Sequence, residues 1–135
     1  MPRSADVCLE IADENTADYT RAKNPQGDYI DYWYQFTGGD DAKGNVEAKK
    51  KDDEVSVLIS LKGASNGKYD LKSADYKPGS GQYGDFHFEP VTNNKITIKD
   101  DAKIDNVHID YNVIATPKNA SQPEIVCDPR ITNKW

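Results

Sequence analysis

Glu54-Val55-Ser56-Val57-Leu58-Ile59-Ser60-Leu61-Lys62 is the stretch that decides the fold. Val55, Val57, Ile59 and Leu61 occupy every second position, and Glu54, Ser56, Leu58, Ser60 and Lys62 fall between them. A period of two sends one set of side chains to a buried face and the other toward solvent, so the segment reads as a β-strand. The same period recurs on both sides of it. Upstream, Val7, Leu9 and Ile11 form a first strand. Residues 28–36 follow as the densest aromatic run, with Ile30, Tyr32, Tyr34 and Phe36 on one face and Tyr29, Asp31, Trp33 and Gln35 on the other. The first set carries no charge and is the expected core face.

Downstream, Tyr69 and Leu71 begin a weaker strand. Phe86 and Phe88 straddle His87 in a short one that Pro90 ends or pushes to an edge. Ile96 and Ile98 mark another strand. Val107, Ile109, Tyr111 and Val113 mark the next, broken by Thr116-Pro117. Ile125 and Cys127 suggest a last strand, closed by Asp128-Pro129, with Ile131 plugging the end of the core. Residues 12–27, 37–53 and 76–84 read as loops, the second with a short strand around Val46, and residues 63–67 read as a turn. No window of helical length shows apolar spacing at i, i+3 and i+4. The expectation is an all-β chain of about eight strands. They form one antiparallel β-sandwich, immunoglobulin-like or jelly-roll-like, spanning residues 5–135.

Composition narrows the functions. Leu, Ile, Val and Phe together number 25 in 135 residues, a borderline count for a folded chain. Eight Tyr and two Trp supplement them. The apolar residues cluster at alternate positions, so the polar excess lies in the loops. The net charge of −6 and pI near 4.8 argue against nucleic acid and anionic membrane as partners. Lys49-Lys50-Lys51 runs straight into Asp52-Asp53-Glu54, which reads as a solvated loop. No apolar segment has the length of a membrane helix, and the start lacks an apolar signal core, so the expected compartment is cytoplasmic. Cys8 and Cys127 match no zinc spacing; in a reducing cytosol they are expected to be free thiols, although terminal strands can neighbour one another and a disulfide is geometrically conceivable.

Candidate sites are few. Nucleophilic catalysis wants a base beside a nucleophile. His87 and His108 are the two histidines, and each lies opposite core residues, on the expected solvent face. No catalytic residue, metal site or cofactor is assigned. Gly79-Ser80-Gly81 reads as a flexible turn rather than a phosphate cradle, since no helix follows it. Asn119-Ala120-Ser121 is a glycosylation sequon of consequence only in a secreted chain. Asp40-Asp41, Asp52-Asp53 and Asp100-Asp101 are acidic pairs without the EF-hand loop pattern; they read as solvated turns, with an incidental calcium site between loops as the alternative. Tyr29, Asp31, Trp33 and Gln35 remain: flat rings interleaved with hydrogen-bonding groups, the composition of a sugar or small-ligand site and, more commonly, of a face covered by a loop or by another subunit.

Pro123-Glu124-Ile125-Val126-Cys127-Asp128-Pro129-Arg130-Ile131-Thr132-Asn133 resembles the ending of the DP-EP family of small bacterial β-sandwich proteins. More distantly, it resembles inclusion-body proteins of the AidA/PixA type. Phe88-Glu89-Pro90 is similar to the Glu-Pro element of the former, and the resemblance covers about a third of the chain. It implies a bacterial, cytoplasmic sandwich of a family without established activity, and it carries over no catalytic residue. Asp128 and Pro129 are then structural, an Asx-type turn with proline fixing φ after the strand. The expected function is a non-enzymatic structural or interaction protein that self-associates as a homo-oligomer. The alternative is a small-ligand or carbohydrate-binding module using Tyr29, Trp33 and neighbouring loops.

Overall fold

A computed structural model of the chain describes residues 3–63, 65–77, 84–118, 120, 122–127, 128–129 and 130–134. The strands are β1 (Arg3–Ala12), β2 (Thr20–Lys23), β3 (Tyr29–Gly38), β4 (Val46–Ala48), β5 (Val55–Leu61), β6 (Tyr69–Tyr76), β7 (Phe86–Phe88), β8 (Lys95–Asp100), β9 (Val107–Pro117), β10 (Ile125–Cys127) and β11 (Arg130–Asn133). A single helical turn, α1 (Ser65–Lys68), takes the place of the expected turn at 63–67. The Gly79-Ser80-Gly81 turn, and Asn119 and Ser121 of the sequon, lie outside the described residues.

The strands join in one mixed sheet in the order β4-β11-β9-β10-β2-β3-β1-β5-β8-β7, with β6 pairing the other side of β9. Two expectations are corrected. The described residues form eleven strands rather than about eight. The sheet is also not purely antiparallel: β1 runs parallel to β5, with Val7 opposite Ile59 and Leu9 opposite Leu61, and β11 runs parallel to β4. Side-chain alternation is the same in parallel and antiparallel ladders, so the pattern that reveals a strand is silent on its direction. The extra strands are β2 and β11, four residues each. In β2 only Ala22 is buried, which is too little to show a period. β9 continues through Pro117, opposite Tyr69 at the end of its pairing with β6, so Thr116-Pro117 does not break it.

The core sits where the alternation placed it. Val7, Leu9, Val55, Val57, Ile59, Ile96, Ile98, Ile109, Tyr111 and Val113 are at most 1% exposed. Ile131 is fully buried, as a strand residue between β4 and β9 rather than as a plug. Ring contacts tie distant strands together: Tyr32 of β3 meets Tyr69 of β6 edge-on, and Phe88 of β7 meets Tyr111 of β9. Asp128-Pro129 is the hinge that positions the candidate site. β10 and β11 both pair with β9, on Val113–Ala115 and Val107–Asp110 respectively, and the Asp-Pro step between them interrupts one long partner strand. Proline has no N–H to give a ladder, so the interruption falls there.

Candidate functional site

The outward face of β3 begins at Tyr29, which is 61% exposed and opposes Lys23 of β2. Trp33 opposes Arg21. Opposed residues share a face, so Arg21 is carried between the two rings. Its guanidinium carbon lies 5.5 Å from the Tyr29 centroid and 5.7 Å from that of Trp33. Its Nη2 donates to Asp31 at 3.0 Å and its Nε to the Ile30 carbonyl at 3.1 Å. The Lys23 ammonium stands 4.9 Å from the Tyr29 centroid. Tyr29, Asp31 and Trp33 are thus brought together around one cation. Gln35 lies further along the same face, half-buried like Trp33, so the face is open mainly at its Tyr29–Asp31 end. The inward set is as expected: Tyr34 and Phe36 are buried, and Ile30 and Tyr32 pack half-buried against the core.

A cleft opens beside this face. β2 meets β10 at a single pair, Lys23 with Val126, and beyond it the Asp128-Pro129 step turns the chain away. The seam between β2 and the C-terminal strands widens there into a cavity of about 480 Å³, walled by Tyr29, Arg21, Lys23 and Lys77 with Tyr34 and Asp128 beneath. A second cavity of about 580 Å³ continues past Thr20, Tyr34 and Asp128 toward Gln35 and the 42–45 loop. The floor is fixed: Tyr34 donates its hydroxyl to Asp128 Oδ1 at 2.6 Å, and Lys77 Nζ donates to Asp128 Oδ2 at 2.8 Å. Burial, then the bond to Asp128, push the Tyr34 phenol above its ordinary range, so it remains a donor and not a base. The Asp128 bond also raises the Lys77 ammonium and keeps it charged. Asp128 therefore spends its carboxylate across the seam, on β3 and on the residue after β6.

The far wall is rigid for a local reason. Asp41 Oδ1 accepts from the backbone N–H of Lys43 at 2.8 Å and of Asn45 at 3.2 Å. Gly44 has φ +85°, and a Cβ there would stand 2.5 Å from Phe36 Cβ. Only glycine allows the loop this close to the core.

The other candidates do not line this cleft. His87 is exposed and its Nε2 lies 2.8 Å from Asp101 Oδ2; His108 is exposed as well. Among the described residues no hydrogen bond links either ring to a serine, threonine or cysteine, and no three His, Cys, Asp or Glu side chains converge as metal ligands. Among the acidic pairs, Asp40 accepts from Arg3 and the Glu47 amide, and Asp52 pairs with Lys103. Cys8 and Cys127 are free thiols, the first half-buried and the second fully buried.

One polar cluster escaped the sequence reading. Asp85, Asp100 and Asn133 are 4%, 1% and 0% exposed. Asp85 Oδ2 accepts three bonds, from the Lys103 and Ile104 amides at 2.8 and 2.7 Å and from Asn133 Nδ2 at 3.0 Å. Asp100 Oδ1 accepts from the Ala102 amide at 3.0 Å, whereas Oδ2 is buried with no protein donor. Burial, helped by the nearby Asp85 and Asp101 charges, pushes the Asp100 carboxyl up to about 6. Asp100 and Asn133 are the last positions of β8 and β11 and continue their buried alternation after Ile98 and Ile131, where a polar side chain reads as the start of a turn; Asp85 lies in a turn.

No family model and no curated protein matches the chain. Among solved structures, it is similar to a PixA-type inclusion body protein from Burkholderia cenocepacia, with 9% identity over 96% of each chain and a TM-score of 0.42. No helix among the described residues is long and apolar enough to cross a membrane.

Proposed function

We propose that the chain is a non-enzymatic binding protein, and that the Tyr29–Trp33 face of β3 with its adjoining cleft takes a small ligand or glycan. The observation that carries this reading is the continuity of an exposed ring, flanking cations and a cleft of about 480 Å³. That volume falls within the roughly 300–1,000 Å³ usual for small-ligand sites. The Tyr34-Asp128-Lys77 floor supports binding over catalysis, because the raised phenol stays protonated and the carboxylate already accepts from Tyr34 and Lys77.

Self-association is the second reading, with a second copy covering the same rings. Tyr29 and Ile104 are the exposed large apolar side chains among the described residues, which leaves little surface for a dry interface. Among the described strands, β4 and β7 pair with one neighbour each and are three residues long, a length that discourages edge-to-edge pairing, whereas β6 also pairs with one neighbour and is eight residues long. A homo-oligomer would therefore form through the Tyr29 face or along the open edge of β6. We read the whole as one cytoplasmic domain whose sheet folds over itself as a sandwich, an arrangement that the Tyr32–Tyr69 and Phe88–Tyr111 contacts favour. The DP-EP likeness rests on the quoted motifs, with Asp128-Pro129 as the structural step.

A thermal-shift panel of sugars and small metabolites, run on the native chain and on Tyr29→Ala, tests the binding reading. A hit whose shift disappears in the variant supports it. A silent panel, with tryptophan fluorescence and light-scattering mass that change on dilution, replaces it with self-association. A silent panel on a concentration-independent monomer refutes both.

A further inference from the structure

We infer that the cleft selects a carboxylated sugar, a ring bearing one acidic group and several hydroxyls; this rests on the binding reading above. The first ground is charge. The chain carries −6 overall, yet Arg21, Lys23 and Lys77 stand together on the cleft wall. Arg21 is held by Asp31 and Lys77 by Asp128, each within 3.0 Å. Lys23 is different. Among the described residues it has no carboxylate within ion-pair distance, and its ammonium rests over the Tyr29 ring. It is the cation in the cleft left to meet an anion.

The second ground is the kind of anion. Phosphate is usually held by several converging N–H donors, as at a helix N-terminus or a backbone nest. Here Arg21 is already committed to Asp31 and to the Ile30 carbonyl. One ammonium balances the single charge of a carboxylate, whereas a phosphate monoester carries close to two at neutral pH. The third ground is the rest of the wall. Tyr29 offers an exposed ring for the apolar face of a sugar. Thr20 and Gln26 bring a hydroxyl and an amide to the same cavity, and among the described residues neither side chain makes a hydrogen bond. Asn112, which also lines it, has an amide oxygen buried without a donor. A ring, a single anion and hydroxyls that both donate and accept match these groups together.

Titration calorimetry with galacturonic acid oligomers, the neutral galactose oligomers of equal length, and galactose 6-phosphate separates the outcomes. The inference expects the acidic oligomers to bind and the neutral ones to bind at least about tenfold more weakly, the ratio of one charge-assisted hydrogen bond. Lys23→Gln should remove that ratio and flatten the salt dependence, and Tyr29→Ala should weaken both series. Both side chains are exposed, and circular dichroism checks that the variants fold. Equal binding of neutral and acidic oligomers overturns the charge assignment and leaves the binding reading standing. Tighter binding of the phosphate overturns the carboxylate assignment. No binding by any of the three overturns the inference, and the wider panel then decides whether the cleft binds at all.

Discussion

Asp100→Asn should stabilise the protein at pH 8, and by about 2 kcal/mol less at pH 4.5. Asp100 is 1% exposed, and its carboxyl is raised from 3.8 to about 6 by burial first, with Asp85 and Asp101 adding to the effect. A group raised in the folded state contributes stability that is fully present below its unfolded value and lost as pH rises through its folded value. The window therefore runs from about pH 4 to pH 7. A rise of about two units corresponds to about 3 kcal/mol across that window. Asparagine keeps an oxygen for the Ala102 amide and carries no charge, so the variant lacks this loss. Urea denaturation of both proteins at pH 4.5, 6 and 8 measures it. Groups other than Asp100 cancel in the difference between the two proteins to first order. Asp40, Asp41 and Asp110 are lowered instead, so their contributions are lost only as pH falls below the ordinary carboxylate range. A difference that does not grow between pH 4.5 and 8, or that favours the native residue at pH 8, refutes the reasoning.

Other outcomes follow from the same packing. Gly44→Ala should cost about 1–3 kcal/mol, since it adds a left-handed φ to a Cβ 2.5 Å from Phe36; a melting temperature equal to the parent's would show that the loop simply shifts. Tyr111→Phe removes a hydroxyl that is buried without a partner, so chemical denaturation should find it neutral or more stable by about 1 kcal/mol, and a clear loss would mean that the hydroxyl is satisfied after all. Ile131→Ala should cost about 2–5 kcal/mol, because the side chain is fully buried between β4 and β9. Thiol titration of the native chain should count Cys8 and not Cys127, whose thiol is fully buried and raised well above its usual value; unfolding in urea should bring the count to two.

The alternation in residues 54–62 and 107–113 was enough to find the long strands and their buried faces, because burial on one side is written directly into side-chain order. Strand direction was not legible: Val7 opposite Ile59 would show the same period in either sense. β2 escaped because its one buried residue is an alanine, and β11 because a single Ile131 between polar neighbours reads as a stopper. Of the candidate face, Tyr29, Asp31, Trp33 and Gln35 were visible as the outward half of an aromatic strand. Arg21, which sits between the rings, was not, since it comes from a strand the pattern hides. Asp128 was noticed as part of a motif, but its bonds to Tyr34 and Lys77 span 94 and 51 positions and depend on the tertiary arrangement.

The position of β11 also governs the order in which the chain can be completed during synthesis. Arg130–Asn133 lies between β4 and β9, although it is the last strand in chain order. Until those residues leave the ribosome, Val46–Ala48 lacks its partner and the first half of β9 has an open rim of backbone donors and acceptors. Such rims pair with other chains when left uncovered. A nascent chain stalled short of residue 130 should therefore need chaperone cover on these two rims, and emergence of residues 130–133 should remove that need.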